Sequence, residues 1–247
     1  MQILGVPVNR VTMDEAVNCV EAFIADRRRP HLVVTANSEM VMRANEDPLL
    51  AHIMQRADLV VPDGIGVVWA SRLLGEPLGS RVPGIELMHN LLSRSAERGW
   101  NVFLLGAEPG VAERAASNMQ QAFPGLSIVG CRHGYFHRRD EEEIVAALQA
   151  SSADILFLAL GVPRQEKWAA AHLGRLNIPL AMGVGGSFNV WAGLERRAPQ
   201  WMQKAGMEWL YRLLKQPARW RRMAVLPQFV LLVLWTKLQS AVSRSGT

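Results

Sequence analysis

Seven short apolar runs, separated by stretches with helical periodicity, constrain this chain more than any other feature of it. The pattern predicts strands over 2–5, 31–36 (HLVVTA), 58–61, 101–105, 126–131, 154–160 (DILFLAL) and 179–184. Several of these runs are almost continuously apolar. A strand with one wet face alternates, whereas a parallel strand covered on both faces does not. Helices are expected between them. Thr12 and Glu15 have the spacing of a capping box ahead of a helix over 13–28. Pro109 and Pro163 suit the first turns of helices over 109–122 and 163–174. The acidic run Asp140–Glu143 suits the start of a helix over 140–150. Strands alternating with helices imply an α/β fold with a parallel sheet and right-handed crossovers.

The 247 residues are 49% hydrophobic and 20% charged. That is an ordinary globular balance, and a chain this long buries a core without staples. Cys19 and Cys131 lie far apart, which points to a reducing compartment and no disulfide framework. No charged start leads into an apolar stretch, so no signal peptide is read and a cytoplasmic location is expected. The net charge of +5 is unevenly spread. Residues 195–247 carry ten Lys/Arg against two acids, Glu195 and Glu208, while residues 1–194 carry seventeen against twenty. Four of the eight tryptophans, Trp201, Trp209, Trp220 and Trp235, also lie in that tail. Composition therefore divides the chain into a body, 1–194, and a basic appendage, 195–247.

The appendage is expected to be helical over 199–216, to break at Pro217, and to resume over 226–240. Its apolar run Phe229–Trp235 is far shorter than the roughly 20 residues that span a bilayer. An interfacial segment on an anionic membrane surface fits better. Arg212, Lys215, Arg219 and Arg222 would share one face if the helix were continuous, although Pro217 could kink it. A solvated charged face is the plain alternative.

In open parallel sheets, ligands bind beyond the carboxyl ends of the strands. Five unusual segments fall there: Thr35-Ala36-Asn37, Pro62-Asp63-Gly64-Ile65-Gly66, Gly106, Gly161–Glu166 and Gly183–Phe188. Asp63 is the candidate general base, a carboxylate at a partly desolvated cleft edge with two glycines behind it that let backbone approach a ligand. An ordinary Asp-Gly turn is the alternative. Gly183–Ser187, with Gly185 and Gly186, could offer backbone N–H groups to a phosphate at a helix start. Gln165 and Glu166 could hydrogen-bond sugar hydroxyls. Arg81 and Arg164 could meet phosphate charge. Tyr135 is either a lid over a ligand or packing. The histidines have no metal-ligand spacing, and the chain has neither a phosphate loop of the GxxxxGK[ST] type nor a Gly-x-Ser-x-Gly elbow. No metal and no cofactor are expected.

Taken together, Thr35–Glu39, Ala57-Asp58 through Gly66, Gly134-Tyr135-Phe136, Gly161–Glu166 and Gly183–Phe188 with Ala192-Gly193 resemble the WecG/TagA/CpsF glycosyltransferases. The matching segments run in family order and cover nearly the whole chain. The resemblance implies a Rossmann-like core with a mobile C-terminal appendage at the cytoplasmic face of the membrane. It implies inverting, metal-independent transfer from a UDP-sugar donor to a polyprenyl-diphosphate-linked sugar acceptor. For the TagA-like branch, that is N-acetylmannosamine passed to the 4-hydroxyl of lipid-linked N-acetylglucosamine in wall teichoic acid synthesis. It makes Asp63 the base and places Thr35, Asn37 and Gln165 in the sugar pocket, with Arg81 and Tyr135 near substrate. Arg212, Arg219 and Arg222 would reach over a diphosphate. Asn189 stands where an acid is expected in many relatives, and Ser38 where proline is frequent.

Two other readings stay open. One is a relative that transfers another UDP-sugar, N-acetylmannosaminuronic acid or glucose, for capsule or exopolysaccharide. The other is a non-catalytic nucleotide-binding module tethered to a membrane. A nucleic-acid partner is not expected, since no recognised motif supports one and the body is acidic. Self-association into a homo-oligomer is left open.

Overall fold

The computed structural model describes residues 1–217, 220 and 224–245. Six parallel strands form the central sheet: β3 (His31–Ala36), β4 (Leu59–Pro62), β5 (Asn101–Gly106), β6 (Ser127–Arg132), β7 (Ile155–Ala159) and β8 (Leu180–Gly183), in the order β4-β3-β8-β7-β5-β6. The fold class read from the sequence, α/β with a Rossmann-like parallel sheet, is the one found. The first predicted strand is different. Residues 2–5 do not join the sheet but begin a separate hairpin of β1 (Gln2–Ile3) and β2 (Val6–Pro7), because Leu4 and Gly5 both turn through positive φ, 48° and 82°.

The continuous apolar runs follow from the two covered faces. Val33, Leu59, Val61, Val102, Leu104, Ile155, Phe157, Leu180 and Met182 enter one core beneath α1 (Met13–Ala25), α5 (Gly84–Arg98), α6 (Val111–Ala122) and α9 (Ser187–Trp191). Their neighbours Val34, Val60, Phe103, Leu105, Leu156, Leu158 and Ala181 point the other way. There they meet α2 (Ser38–Glu46), α3 (Pro48–Arg56), α4 (Ile65–Leu74), α7 (Glu141–Ala150) and α8 (Arg164–His172). Successive side chains alternate between faces, so a strand buried on both shows no alternation in hydropathy.

Thr12 and Glu15 close the expected capping box on α1, which ends at Ala25 and so stops short of residue 28. Pro109 and Pro163 sit just outside their helices: Gly110 caps α6 and Pro163 itself caps α8.

The appendage departs from the single helix expected over 199–216. It forms α10 (Gln200–Lys204) and α11 (Glu208–Lys215). Between them Gly206 takes φ +71°, and a Cβ there would lie 2.8 Å from Ile65 Cγ1. Only glycine permits both the left-handed turn and that close approach. Pro217 follows two residues after α11 ends. Arg219 and Arg222 lie outside the described residues, as does the question whether they continue a face with Arg212.

The last helix, α12 (Val225–Ser245), is apolar on two sides. Phe229 and Val233, one turn apart, are fully buried among Met40, Val41, Val67 and Ala70 of α2 and α4. Leu231, Leu234, Trp235 and Leu238 form an exposed stripe on the opposite side. No helix among the described residues is long and apolar enough to cross a membrane. Phe229→Ala should cost about 3–5 kcal/mol. Denaturant unfolding checks this, and a loss under about 1 kcal/mol, the scale of a surface change, would mean that α12 is not docked in solution.

Candidate active site

The helices that follow β3 and β8, neighbours in the sheet, leave on opposite faces. Met40 and Val41 of α2 pack in one core and Phe188 of α9 in the other. A crevice opens where such neighbours diverge, and a cavity of about 190 Å³ lies there. Thr35, Asn37, Asp63, Gln165, Gly185 and Gly186 line it. Six of the residues singled out in the sequence are therefore brought together, from the ends of β3, β4, β7 and β8.

Each is held by its own fold element. Asp63 follows β4, and its N–H donates to Ala36 O at 2.9 Å. Its Oδ1 accepts the Gly84 N–H at 2.9 Å, the first residue of α5, which has no side-chain cap of its own. One carboxylate oxygen is thereby anchored at a helix end, which orients the group in the cavity wall. Thr35 Oγ1 donates to Gly183 O at 3.3 Å, tying β3 to β8. Asn37 Oδ1 accepts the Met40 N–H at 3.0 Å and caps α2. Gly64 and Gly66, expected to give a ligand backbone access, serve packing: a Cβ on Gly66 would lie 2.3 Å from Ser38 Oγ.

Gly183–Ser187, expected to cradle a phosphate at a helix start, runs from the end of β8 into the first residue of α9. Gly185 N–H donates to Gln165 Oε1 at 3.2 Å, and α9 is only five residues long. Glu166 is not in the cavity lining. Its side chain turns inward, 2% exposed, and Oε1 accepts from Gln165 Nε2 at 2.7 Å. Burial pushes its pKa up to about 7, against the opposing pull of that hydrogen bond. Gly106 takes φ +141° because β5 crosses close to β7; a Cβ would meet the Ala159 carbonyl carbon at 2.4 Å. Tyr135 follows β6 in a loop that folds back toward the end of β5, where a Cβ on Gly134 would lie 3.2 Å from Gly106 Cα, and it is not in the cavity lining. It is two-thirds exposed, with its hydroxyl 3.4 Å from Glu108. Arg164 also faces away: Nη1 donates to Gly134 O at 2.8 Å, and the guanidinium lies over the Phe136 ring.

A wider cleft of about 840 Å³ adjoins the cavity and shares Pro83, Ile85, Val190 and Arg197 with it. The base candidate lines only the smaller space. Arg81 lines the larger, its Nη1 3.6 Å from Glu208 Oε2. Arg197 Nε lies 3.6 Å from the other oxygen of the same carboxylate, and its Nη2 donates to Glu86 Oε1 at 2.9 Å. Two guanidinium groups thus converge on one carboxylate that the appendage supplies. Arg197, Arg196, Glu195 and Glu208 were not among the expected site residues. The charge step at residue 195 was their only sequence signal. Asn189 Nδ2 donates to Glu195 Oε1 at 3.0 Å, so an acid does line the cavity beside the position where one was missing.

The family model described as "Glycosyl transferase WecG/TagA/CpsF family" matches residues 1–243. A protein of Bacillus spizizenii (strain ATCC 23059 / NRRL B-14472 / W23), named N-acetylglucosaminyldiphosphoundecaprenol N-acetyl-beta-D-mannosaminyltransferase, is 36% identical over 240 residues, covering 95% of this chain and 93% of its own length. A protein of the same name from Staphylococcus aureus (strain MW2) is 37% identical over 231 residues, covering 93% and 90%.

Proposed function

This chain belongs to the WecG/TagA/CpsF family of glycosyl transferases, and we propose that it moves N-acetylmannosamine from UDP-N-acetylmannosamine to the 4-hydroxyl of N-acetylglucosamine carried on undecaprenyl diphosphate. The observation that carries this reading is the meeting of Thr35, Asn37, Asp63 and Gln165, from separate strand ends, around one cavity. The names of the two relatives supply the transferred sugar and the lipid-linked acceptor.

The mechanism we propose is an inverting displacement. Asp63 takes the proton of the acceptor hydroxyl as its oxygen attacks C1 of the donor sugar. The bond from C1 to the β-phosphate oxygen breaks on the opposite face, and UDP leaves with the electron pair. Positive charge develops on the sugar and negative charge on the diphosphate. Arg81, Arg196 and Arg197 are the cations beside the cavity that would meet the latter without a metal. Arg212, Arg219 and Arg222 of the appendage are proposed to add to them. Thr35, Asn37, Gln165, Gly185 and Gly186 would surround the donor sugar.

The division at residue 195 is proposed as functional: body 1–194 holds the base, and appendage 195–247 brings cations and a membrane surface. All four appendage tryptophans are exposed, Trp201, Trp209, Trp220 and Trp235. Such residues favour the headgroup layer. A peripheral position on the inner face of the cell membrane follows from this reading. The test is the product: NMR of the disaccharide-lipid formed in the presence of a chelator should show the new linkage with inverted anomeric configuration. Retention of configuration, or transfer that stops with chelation, would overturn the mechanism.

A further inference from the structure

The transfer step uses the groups facing the cavity and leaves one buried carboxyl unexplained. Glu166 Oε2 is sealed from solvent and has no hydrogen-bond partner. A buried polar atom left unpaired is costly and calls for a reason. The surroundings are built for it: Gly183 faces the pair, and a Cβ there would lie 2.5 Å from Gln165 Nε2 and 3.1 Å from Glu166 Oε1. The chain of contacts runs from Glu166 to Gln165 and from Gln165 to the Gly185 N–H, so it ends in the glycine loop that lines the cavity.

A glutamine amide has one donor end and one acceptor end, and turning it over exchanges them. Here both ends are committed. The NH₂ group points to Glu166 and the carbonyl to Gly185. We propose that Glu166 is a positioning residue: by accepting from Gln165 it fixes which end of that amide faces the glycine loop, and so sets the donor affinity of the cavity. This rests on the cavity being the donor site of the proposed transfer.

An ionised Glu166 only accepts, which holds the amide in the orientation seen. A protonated Glu166 carries an O–H beside its remaining acceptor oxygen, so it no longer selects which end of the Gln165 amide faces it. The amide is then free to turn over, and in the turned form its NH₂ meets the Gly185 N–H donor to donor and the loop loses its tie. The elements packed against α8 bring few other charges. From α3 and its cap come Asp47, paired with Lys167, and His52 and Arg56; from the turn Leu173–Arg175 comes Arg175, paired with Glu142; from β3 comes His31, at the far end of the strand; β8 brings none. On α8 itself, Arg164 is turned to the 134–136 backbone and His172 lies 3.1 Å from Glu141. Across the cavity stand Asp63, Glu39, Glu195, Glu208, Arg196 and Arg197. Burial dominates, so the change falls near pH 7.

The experiment compares the full-length wild type, Glu166→Gln and Glu166→Leu on either side of that pH. Donor KM and kcat are measured, together with the Gly185 backbone amide resonance by NMR. In the wild type, donor KM should rise about tenfold as pH falls through the transition, the size of one hydrogen bond to a charged group, with kcat moving less. The Gly185 resonance should titrate alongside. Glu166→Gln cannot ionise and, like the protonated acid, offers both a donor and an acceptor, so both changes should vanish and KM should stay at the low-pH value throughout, with thermal stability retained. Glu166→Leu should raise KM about tenfold at every pH. A Glu166→Gln protein that keeps the wild-type KM step, or a wild-type Gly185 resonance that does not titrate, would overturn the assignment. Failure of the wild type to transfer sugar would instead count against the function, and the NMR titration would still decide the role of Glu166.

Discussion

Asp63→Asn should lower sugar transfer by about 10²–10⁴-fold, the usual contribution of a positioned general base. The substitution is chosen for what it preserves. An Asn carbonyl at this position can still accept the Gly84 N–H, so the link from the end of β4 to the start of α5 survives. The backbone bond from residue 63 to Ala36 is untouched. Folding and donor affinity should therefore stay close to wild type, and the loss should fall on kcat. Asp63→Ala would confuse the two, because it also removes the α5 contact. Rates with saturating donor and acceptor, set beside a melting curve, decide the matter. Asp63→Asn with near wild-type turnover would remove Asp63 as the base, whatever the substrates are.

Replacing Leu231, Trp235 and Leu238 together with serine should abolish binding to anionic vesicles while leaving the body folded. The three lie at i, i+4 and i+7 on α12, opposite the docked pair Phe229 and Val233, and each is about three-fifths exposed or more. Burying such side chains is worth about 1.5–3 kcal/mol apiece when complete. Even half of that, over three residues, amounts to two to three orders of magnitude in partition. Vesicle flotation measures it. Unchanged flotation would move membrane affinity away from α12. A fall in molecular size on a sizing column, without loss of flotation, would make the stripe a contact between copies of the chain. Truncation at residue 194 is the poorer test, since it also strips Phe229 and Val233 from α2 and α4 and bares an apolar face.

The sheet was legible because its strands are buried on both faces. HLVVTA at 31–36 is the strand β3 to the residue, and DILFLAL differs from β7 only at its ends. The hairpin at residues 2–7 was missed because a two-residue strand has no periodicity to detect. The crevice was legible from the convergence of strand-end segments, yet the roles within it were not. Glu166 and Gln165 are adjacent in sequence and look alike as polar residues at a helix start. Only the fold shows that one faces the cavity and the other lies beneath it, in space left by Gly183. Gly106 read as a ligand contact because glycine signals close approach, and the approach is to Ala159. Arg197 was hidden because its value comes from Glu86 and Glu208, which are distant in sequence and meet it only in the fold. The docked side of α12 was hidden for a related reason: a helix apolar on two faces gives no amphipathic pattern, so its buried pair could not be told from its exposed stripe.

Sugar transfer at this cavity underlies every role proposed for Asp63, Gln165 and Glu166. The most direct test offers the full-length protein a panel of UDP-sugars, one at a time, with a lipid-linked N-acetylglucosamine diphosphate analogue, and reads the products by mass spectrometry. The expected result is one added N-acetylhexosamine from UDP-N-acetylmannosamine, and no comparable product from UDP-glucose, UDP-N-acetylglucosamine or UDP-N-acetylmannosaminuronic acid. A product formed preferentially from one of those other donors would contradict the substrate assignment. UDP binding with no product from any donor would contradict the claim of catalysis itself.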